Sequence, residues 1–326
     1  MNFRIKLLSV ASLFIIVGML FTGVSLAASD YPRKPVNLIV PFAPGGGMDI
    51  SGRAMAEAVK PFFPQPIIIV NRAGGGGVVG AAEAVMAKPD GYTIGYVGNI
   101  HIALQPHRTR LPYNTPDDYR PFINIFNVMW ALGVRTDSPW KTLKELVEYA
   151  RNNPGKIRVG NAGLGVGPHL ATELLNEKAK VKLTPVPFTG DSESIAQLLG
   201  GHIEATFNNA ASMIAHVRAG KIRILALASE KRYHQFNEIP TIKESGYDVV
   251  VPTRYLLILP KKTPDPIVTA LHDAFKKAIE TESFKAFADK SFFEIAYMGP
   301  QDIKQALNED YKFYGELVQK LNLKEN

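Results

Sequence analysis

The side chains that most often do chemistry are thinly spread in this chain. Seven histidines stand at His101, His107, His169, His202, His216, His234 and His272, none four residues from another, so no helix offers two imidazoles to one metal ion. Cysteine is absent, which removes disulfides, thiolate nucleophiles and thiolate metal sites together. Neither a Gly-x-Ser-x-Gly elbow nor a His-Glu-x-x-His pair occurs. No catalytic, metal or cofactor pattern emerges. What remains is main-chain chemistry. In Val36-Asn37-Leu38-Ile39-Val40-Pro41-Phe42-Ala43-Pro44-Gly45-Gly46-Gly47-Met48-Asp49 a short apolar run reads as a buried strand that Pro41 ends. Three glycines lead into a segment with helical spacing, Ile50, Ala54, Met55, Ala58, Val59 and Phe62. Glycines at a strand-to-helix turn let a ligand approach bare N–H groups, and the first helical turn adds partial positive charge. That suits an anion, a carboxylate or a phosphate. The turn fits neither the dinucleotide fingerprint nor the P-loop.

The design returns at Ile157-Arg158-Val159-Gly160-Asn161-Ala162-Gly163-Leu164-Gly165-Val166-Gly167-Pro168-His169, followed by a helix through Leu170, Leu174 and Leu175. Two such units far apart imply two similar α/β lobes. A third glycine run, Gly74–Gly77, follows the strand Pro66–Val70; it is expected to serve close helix-on-strand packing, farther from a ligand.

These turns must be placed by the elements around them. Residues 36–98 read as two β-α units and a third strand, Tyr92–Val97, ending at Gly98-Asn99. Strands alternating with helices imply a parallel, helix-covered sheet. With strand order 2-1-3, the crevice beyond strands one and three brings the Phe42–Asp49 turn opposite Asn99. Phe122 to Arg135 is strand-like and contains Trp130. Thr142-x-x-Glu145 is a capping box opening a helix. Asp191 is placed to cap the helix Ser192–Leu199, and the strand Ile203–Asn209 ends in polar amides. Tyr255–Pro260 is a strand that returns the chain to the first lobe, and amphipathic helices follow from Pro266.

Length and composition agree with two lobes: 326 residues, 46% of them hydrophobic, make a sizeable core. Arg4 and Lys6, the apolar Leu7–Phe21 and the small residues Ser25-Leu26-Ala27-Ala28 read as a cleaved export signal, too short for a span of about 20 residues. Cleavage near Ala27 or Ala28 removes Arg4 and Lys6 and takes the formal charge from +7 to +5. The charge is dispersed, without a basic stripe, which argues against nucleic acid and for a small anion. An exported, cysteine-free chain with no other long apolar run is expected to be periplasmic.

Five stretches, in this order and spacing, resemble the substrate-binding proteins of tripartite tricarboxylate transporters, the Bug family: Val40–Asp49; Asn71-Arg72-Ala73-Gly74-Gly75-Gly76-Gly77; Lys88-Pro89-Asp90-Gly91-Tyr92-Thr93; Gly160–Gly165 with Pro168-His169; and Leu198-Leu199-Gly200-Gly201-His202-Ile203-Glu204. The resemblance runs from Tyr31 to about Leu323. It implies a two-lobe flytrap of the periplasmic-binding-protein type, with lobe 1 formed by 29–127 and 253–326 and lobe 2 by 128–252. It implies a monomeric receptor, not an enzyme, that holds a small carboxylate (a di- or tricarboxylate or an aromatic carboxylate) through backbone groups and water and delivers it to a two-component membrane permease. Carried over by motif, the ligand contacts are Phe42, Ala43, Gly46, Gly47, Asp49 and Asn99 in the first lobe and Gly163, Gly165, Val166, Gly167 and Asn208 in the second. Asp49 fits a loop-holding role better than contact with an anion, since like charges repel. Relatives often carry hydroxyl residues where Val166 and Gly167 stand and an aspartate at Asn208, so side-chain donors are fewer here. Arg254, beside the return crossover, is placed either to pair bidentately with a carboxylate or to lie solvated at the surface. The competing functions are a ligand-presenting subunit of a membrane sensor kinase and, from a different class, an exported hydrolase.

Overall fold

The computed structural model describes residues 31–233, 236–321 and 323–324; the export signal expected over 1–28 lies outside the described residues. The chain runs β1 (Val36–Val40), α1 (Gly47–Ala58), β2 (Ile67–Asn71), α2 (Val78–Met86), β3 (Thr93–Gly98), α3 (Gln105–Arg108), β4 (Tyr119–Val128) and β5 (Trp130–Arg135). It continues through α4 (Leu143–Asn152), β6 (Arg158–Asn161), α5 (Gly167–Ala179), β7 (Thr184–Pro187), α6 (Asp191–Leu199), β8 (Ala205–Asn209), α7 (Ala210–Arg218) and β9 (Ile222–Leu227). Then come β10 (Thr253–Pro260), α8 (Asp265–Glu280), α9 (Glu282–Lys290), β11 (Glu294–Met298) and α10 (Pro300–Lys320).

The strands form two sheets, β11-β4-β10-β3-β1-β2 and β7-β6-β8-β5-β9. In the first, β1 lies between β2 and β3, parallel to both, and β10 runs antiparallel beside β3. In the second, β6 lies between β7 and β8, parallel to both, and β5 runs antiparallel beside β8. The 2-1-3 order supposed for the first sheet occurs in both, and both central strands aim their C-terminal ends at the space between the sheets. β1 is buried except at Asn37, as a strand covered by helices on both faces requires.

The strand-like apolar run 122–135 is two strands. β4 belongs to the first sheet and β5 to the second, with Met129 as the crossing residue. Periodicity cannot reveal such a break, because both strands are buried and continuous in hydrophobicity. The chain returns between β9 and β10. There the Trp130 indole N–H donates to the Thr253 hydroxyl at 2.8 Å and ties the two crossings together.

Candidate functional site

The first glycine turn is clamped from its own side. Gly45, at φ +82°, reverses the chain after Pro44. The Asp49 carboxylate accepts hydrogen bonds from the Gly45 N–H at 2.9 Å, Arg53 Nε at 3.0 Å and Asn71 Nδ2 at 3.0 Å. Asn71 also donates to the Phe42 carbonyl. Burial alone would raise the Asp49 carboxyl, but hydrogen bonds from Arg53, Gly45 and Asn71 outweigh it and hold it below the usual carboxylate range. Ser51 fixes α1 to the first sheet through the Tyr96 hydroxyl at 2.8 Å. The N-cap of α1 is Gly46, which has no side chain to cap the helix; from the other sheet, Asp191 Oδ2 accepts from the Gly47 N–H at 3.4 Å.

The second turn satisfies itself. Asn161 Oδ1 accepts from the Gly163 N–H at 3.0 Å, and His169 Nδ1 accepts from the Gly165 N–H at 3.3 Å. Burial, with the Arg108 charge nearby, pulls His169 down to about 4 and keeps its imidazole neutral, so Nδ1 stays an acceptor. Helix α5 begins at Gly167 behind the N-cap Val166, again with no capping side chain. The Gly167 backbone lies so close to Trp130 that a Cβ would fall 2.4 Å from the indole nitrogen.

Between the turns is a cleft with about 440 Å³ of empty space, part of it open to solvent. The starts of α1 (Gly46, Gly47, Met48) and α5 (Val166, Gly167, Pro168) face it from opposite sheets. Phe42, Trp130 and Tyr255 supply aromatic walls. A π-helical turn, Ile100–Leu104, follows Gly98 and folds His101 back so that its Nδ1 accepts from the Gly98 N–H at 2.9 Å. Burial pulls His101 down to about 4, so it too is neutral. Asp191, at the start of α6, is the one acidic residue in the lining.

The halves touch across this cleft. The Ser192 hydroxyl donates to the Pro44 carbonyl at 2.9 Å, and Gln105 Nε2 donates to the carbonyls of Leu164 and Gly165, both at 3.2 Å. A Cβ on Gly163 would fall 2.8 Å from the Gly76 Cα. The Gly74–Gly77 run, none of which lines the cleft, thus meets the second turn, and at Gly76 the two main chains approach each other. Gly80 carries the expected close packing against the strand, next to Pro41 and the Arg72 carbonyl.

Of the expected contacts, Phe42, Gly46, Gly47, Val166 and Gly167 line the cleft. Ala43 faces Gly190 at the interface, and Gly163 and Gly165 face Gly76 and Arg108. Asp49 holds its loop and does not line the cleft. Asn208 lies behind: the amide orientation that satisfies both its ends has Nδ2 donating to Asp191 Oδ1 at 3.1 Å and the Phe207 carbonyl at 2.8 Å. Asn99 and Arg254 belong to the crossing behind the cleft. Asn99 donates to Asp310 at 2.8 Å and to the Pro252 carbonyl at 3.3 Å, and accepts from the Arg254 N–H at 3.0 Å. The Arg254 guanidinium pairs with Asp310, so its charge is spent on a partner in α10. Asp191 does not cap α6; the N-cap is Gly190, and the Asp191 carboxylate points across at α1. Sequence reasoning missed Asp191, His101, Thr253 and Tyr255 as lining residues. For two of them a glycine was an available signal, Gly190 before Asp191 and Gly98 before the π-turn that carries His101; Thr253 and Tyr255 have no such neighbour.

A family model described as the tripartite tricarboxylate transporter family receptor matches residues 52–323. A protein encoded in the gbd 5′ region of Cupriavidus necator is 35% identical over 296 residues, 91% of this chain and 90% of the relative. The solved periplasmic binding protein BugD is 27% identical, with TM-score 0.86, over 91% of this chain and 100% of that one. Rpa4515 of R. palustris, solved with adipate, is 27% identical with TM-score 0.85, over 90% of this chain and 99% of that one.

Proposed function

The chain belongs to the tripartite tricarboxylate transporter receptor family, and from that premise we propose that it captures a small organic carboxylate between its two sheets, outside the cytoplasm, and hands it to a two-component membrane permease. The observation that carries this reading is the pair of helix starts without capping side chains. Gly46 opens α1 and Val166 opens α5, and both face one cleft from different sheets. Thr142, Asn209 and Thr281 cap α4, α7 and α9, while α2, α6, α8 and α10 also start without a side-chain cap, so what distinguishes α1 and α5 is that their bare starts face one cleft from two sheets. Uncapped first turns leave N–H groups directed at an anion, with the helix dipole behind them. In this reading Gly46, Gly47 and Gly167 contact the ligand through backbone, and Phe42 and Val166 through apolar surface.

Lobe 1 is 29–127 with 253–326 and lobe 2 is 128–252, turning about Met129 and the Pro252–Thr253 crossing. The cross-cleft bonds of Ser192 and Gln105 form only when the lobes meet, so closure adds to affinity. Acid–base or nucleophilic turnover has no support in the cleft, since both its histidine and that of the adjoining loop are neutral and engaged. A thermal-shift screen of the exported chain against a carboxylate panel tests the reading. A ligand at a hundred times its Kd stabilises by about 2.7 kcal/mol. No shift with any carboxylate at millimolar concentration overturns it.

A further inference from the structure

The cleft holds a carboxyl group of its own, raised by burial, whose charged form an ammonium beside it would favour. Asp191 is 7% exposed, and it reaches the cleft through its carboxylate. Oδ2 accepts from the Ser212 hydroxyl at 2.7 Å and, more loosely, from the Gly47 N–H at 3.4 Å. Oδ1 accepts from Asn208 at 3.1 Å. All three donors are neutral. Among the described residues no lysine or arginine lines the cleft, and His101 is uncharged at neutral pH because burial disfavours its cation. The start of α1, which would suit a ligand's anion, already has the Asp191 carboxyl beside it, at 3.4 Å from the Gly47 N–H.

The opposite wall differs. At the start of α5, Pro168 has no N–H, and the Gly167 N–H lies in the first turn behind an apolar N-cap. A ligand with one carboxylate can place it there. A second carboxylate would then meet Asp191 in a site of low polarity with no cation to offset the repulsion. Phe42, Met48, Ile100 and Trp130 favour an apolar body between the two ends.

From this juxtaposition we infer that Asp191 is the specificity-determining residue of the cleft and that it selects an aminocarboxylate, with the carboxylate at α5 and the ammonium donating to Asp191, over dicarboxylates. The inference rests on the carboxylate reading above and narrows it.

Length-matched probes separate the two. Calorimetry on the exported chain compares succinate with 4-aminobutanoate, adipate with 6-aminohexanoate, and terephthalate with 4-(aminomethyl)benzoate. The expected result is that, in the pair that fits best, the aminocarboxylate binds at least tenfold tighter. In Asp191→Asn that preference falls at least tenfold. The wild-type comparison stands by itself if the variant does not fold. Equal or tighter binding of the dicarboxylates by the wild type overturns the inference and leaves the receptor reading intact. A preference unchanged in folded Asp191→Asn also overturns it. No binding of any probe of either class, at any concentration to 10-fold above millimolar, removes both.

Discussion

The two glycine turns that flank the cleft share an outline and differ in what holds them. The first is braced by a carboxylate: Asp49 gathers Gly45, Arg53 and Asn71, all from the first sheet's side. The second is braced by two neutral acceptors within reach of its own loop, Asn161 and His169. The cost of the second arrangement is that the amides of Gly163 and Gly165 are consumed. Only the start of α5 is left to face a ligand, whereas the first turn presents Gly46, Gly47 and Met48. A glycine-rich sequence therefore marks where backbone is bare of side chains, not where its N–H groups are free. The second turn's glycines serve contact between the halves.

The largest test of this contrast is Gly163→Ala. A side chain at φ +130° is strained, and its Cβ would lie 2.8 Å from the Gly76 Cα. We expect the closed arrangement to lose about 4 kcal/mol, read as weaker ligand binding in calorimetry and a larger radius of gyration in small-angle scattering. Unchanged scattering and affinity would break the picture of a rim closed main chain to main chain.

Next is the pair Asp49→Ala and Asn161→Ala. Removing the charged brace should cost about 3 kcal/mol in urea unfolding, because three hydrogen bonds converge on it, and removing the neutral one about 1 kcal/mol. Asn161 Nδ2 has no partner, so its loss also relieves a buried unsatisfied group. Equal costs would erase the difference between the turns.

Acid should then act on the turns in sequence. His169 is held near 4 when folded against 6.5 unfolded, so between those values protons bind the unfolded chain first and stability falls as pH falls. From pH 7 to pH 5 the loss is about 2 kcal/mol. His101 adds a loss of the same sign, and Asp191, raised by burial, opposes both. Asp49, lowered when folded, contributes its stability above about pH 4 and gives it up only below. Denaturation followed against pH should therefore show a shallower fall between 7 and 5 in His169→Gln, with the acid limb below 4 unchanged. The smallest effect is Ser192→Ala, which removes the bond to the Pro44 carbonyl and should weaken closure by about 1 kcal/mol, seen as a modest drop in affinity without a change in melting temperature.

Much of the frame could be read before any coordinates. The Thr142 capping box is present, with Thr142 accepting from the Glu145 N–H at 3.2 Å and Glu145 accepting from the Lys141 N–H. Both strand–glycine–helix turns were visible because they rest on local signals: an apolar run, a glycine cluster and a helical stripe; the 2-1-3 order was a supposition for the first lobe, since strand order depends on non-local pairing. What escaped reading depends on partners far away in the chain. Arg254 and Asp310 are 56 residues apart, and nothing near Arg254 signals that its charge is taken. Asp191 stands 144 residues from Gly47, and its local setting reads as an ordinary helix start. Trp130 and Tyr255 sit in buried strands, where periodicity gives no direction for the side chain.

Trp130 can report on the cleft by its own light emission. It is one of two tryptophans, its indole N–H is engaged by Thr253, and its ring forms part of the cleft wall. The other, Trp140, packs on Tyr149 with ring centroids 5.1 Å apart and is not among the residues that line the cleft. Occupation of the cleft replaces water against one indole and leaves the second undisturbed. Intrinsic emission, with Trp140 as an internal standard, thus reports filling and emptying of the receptor in real time without any added dye.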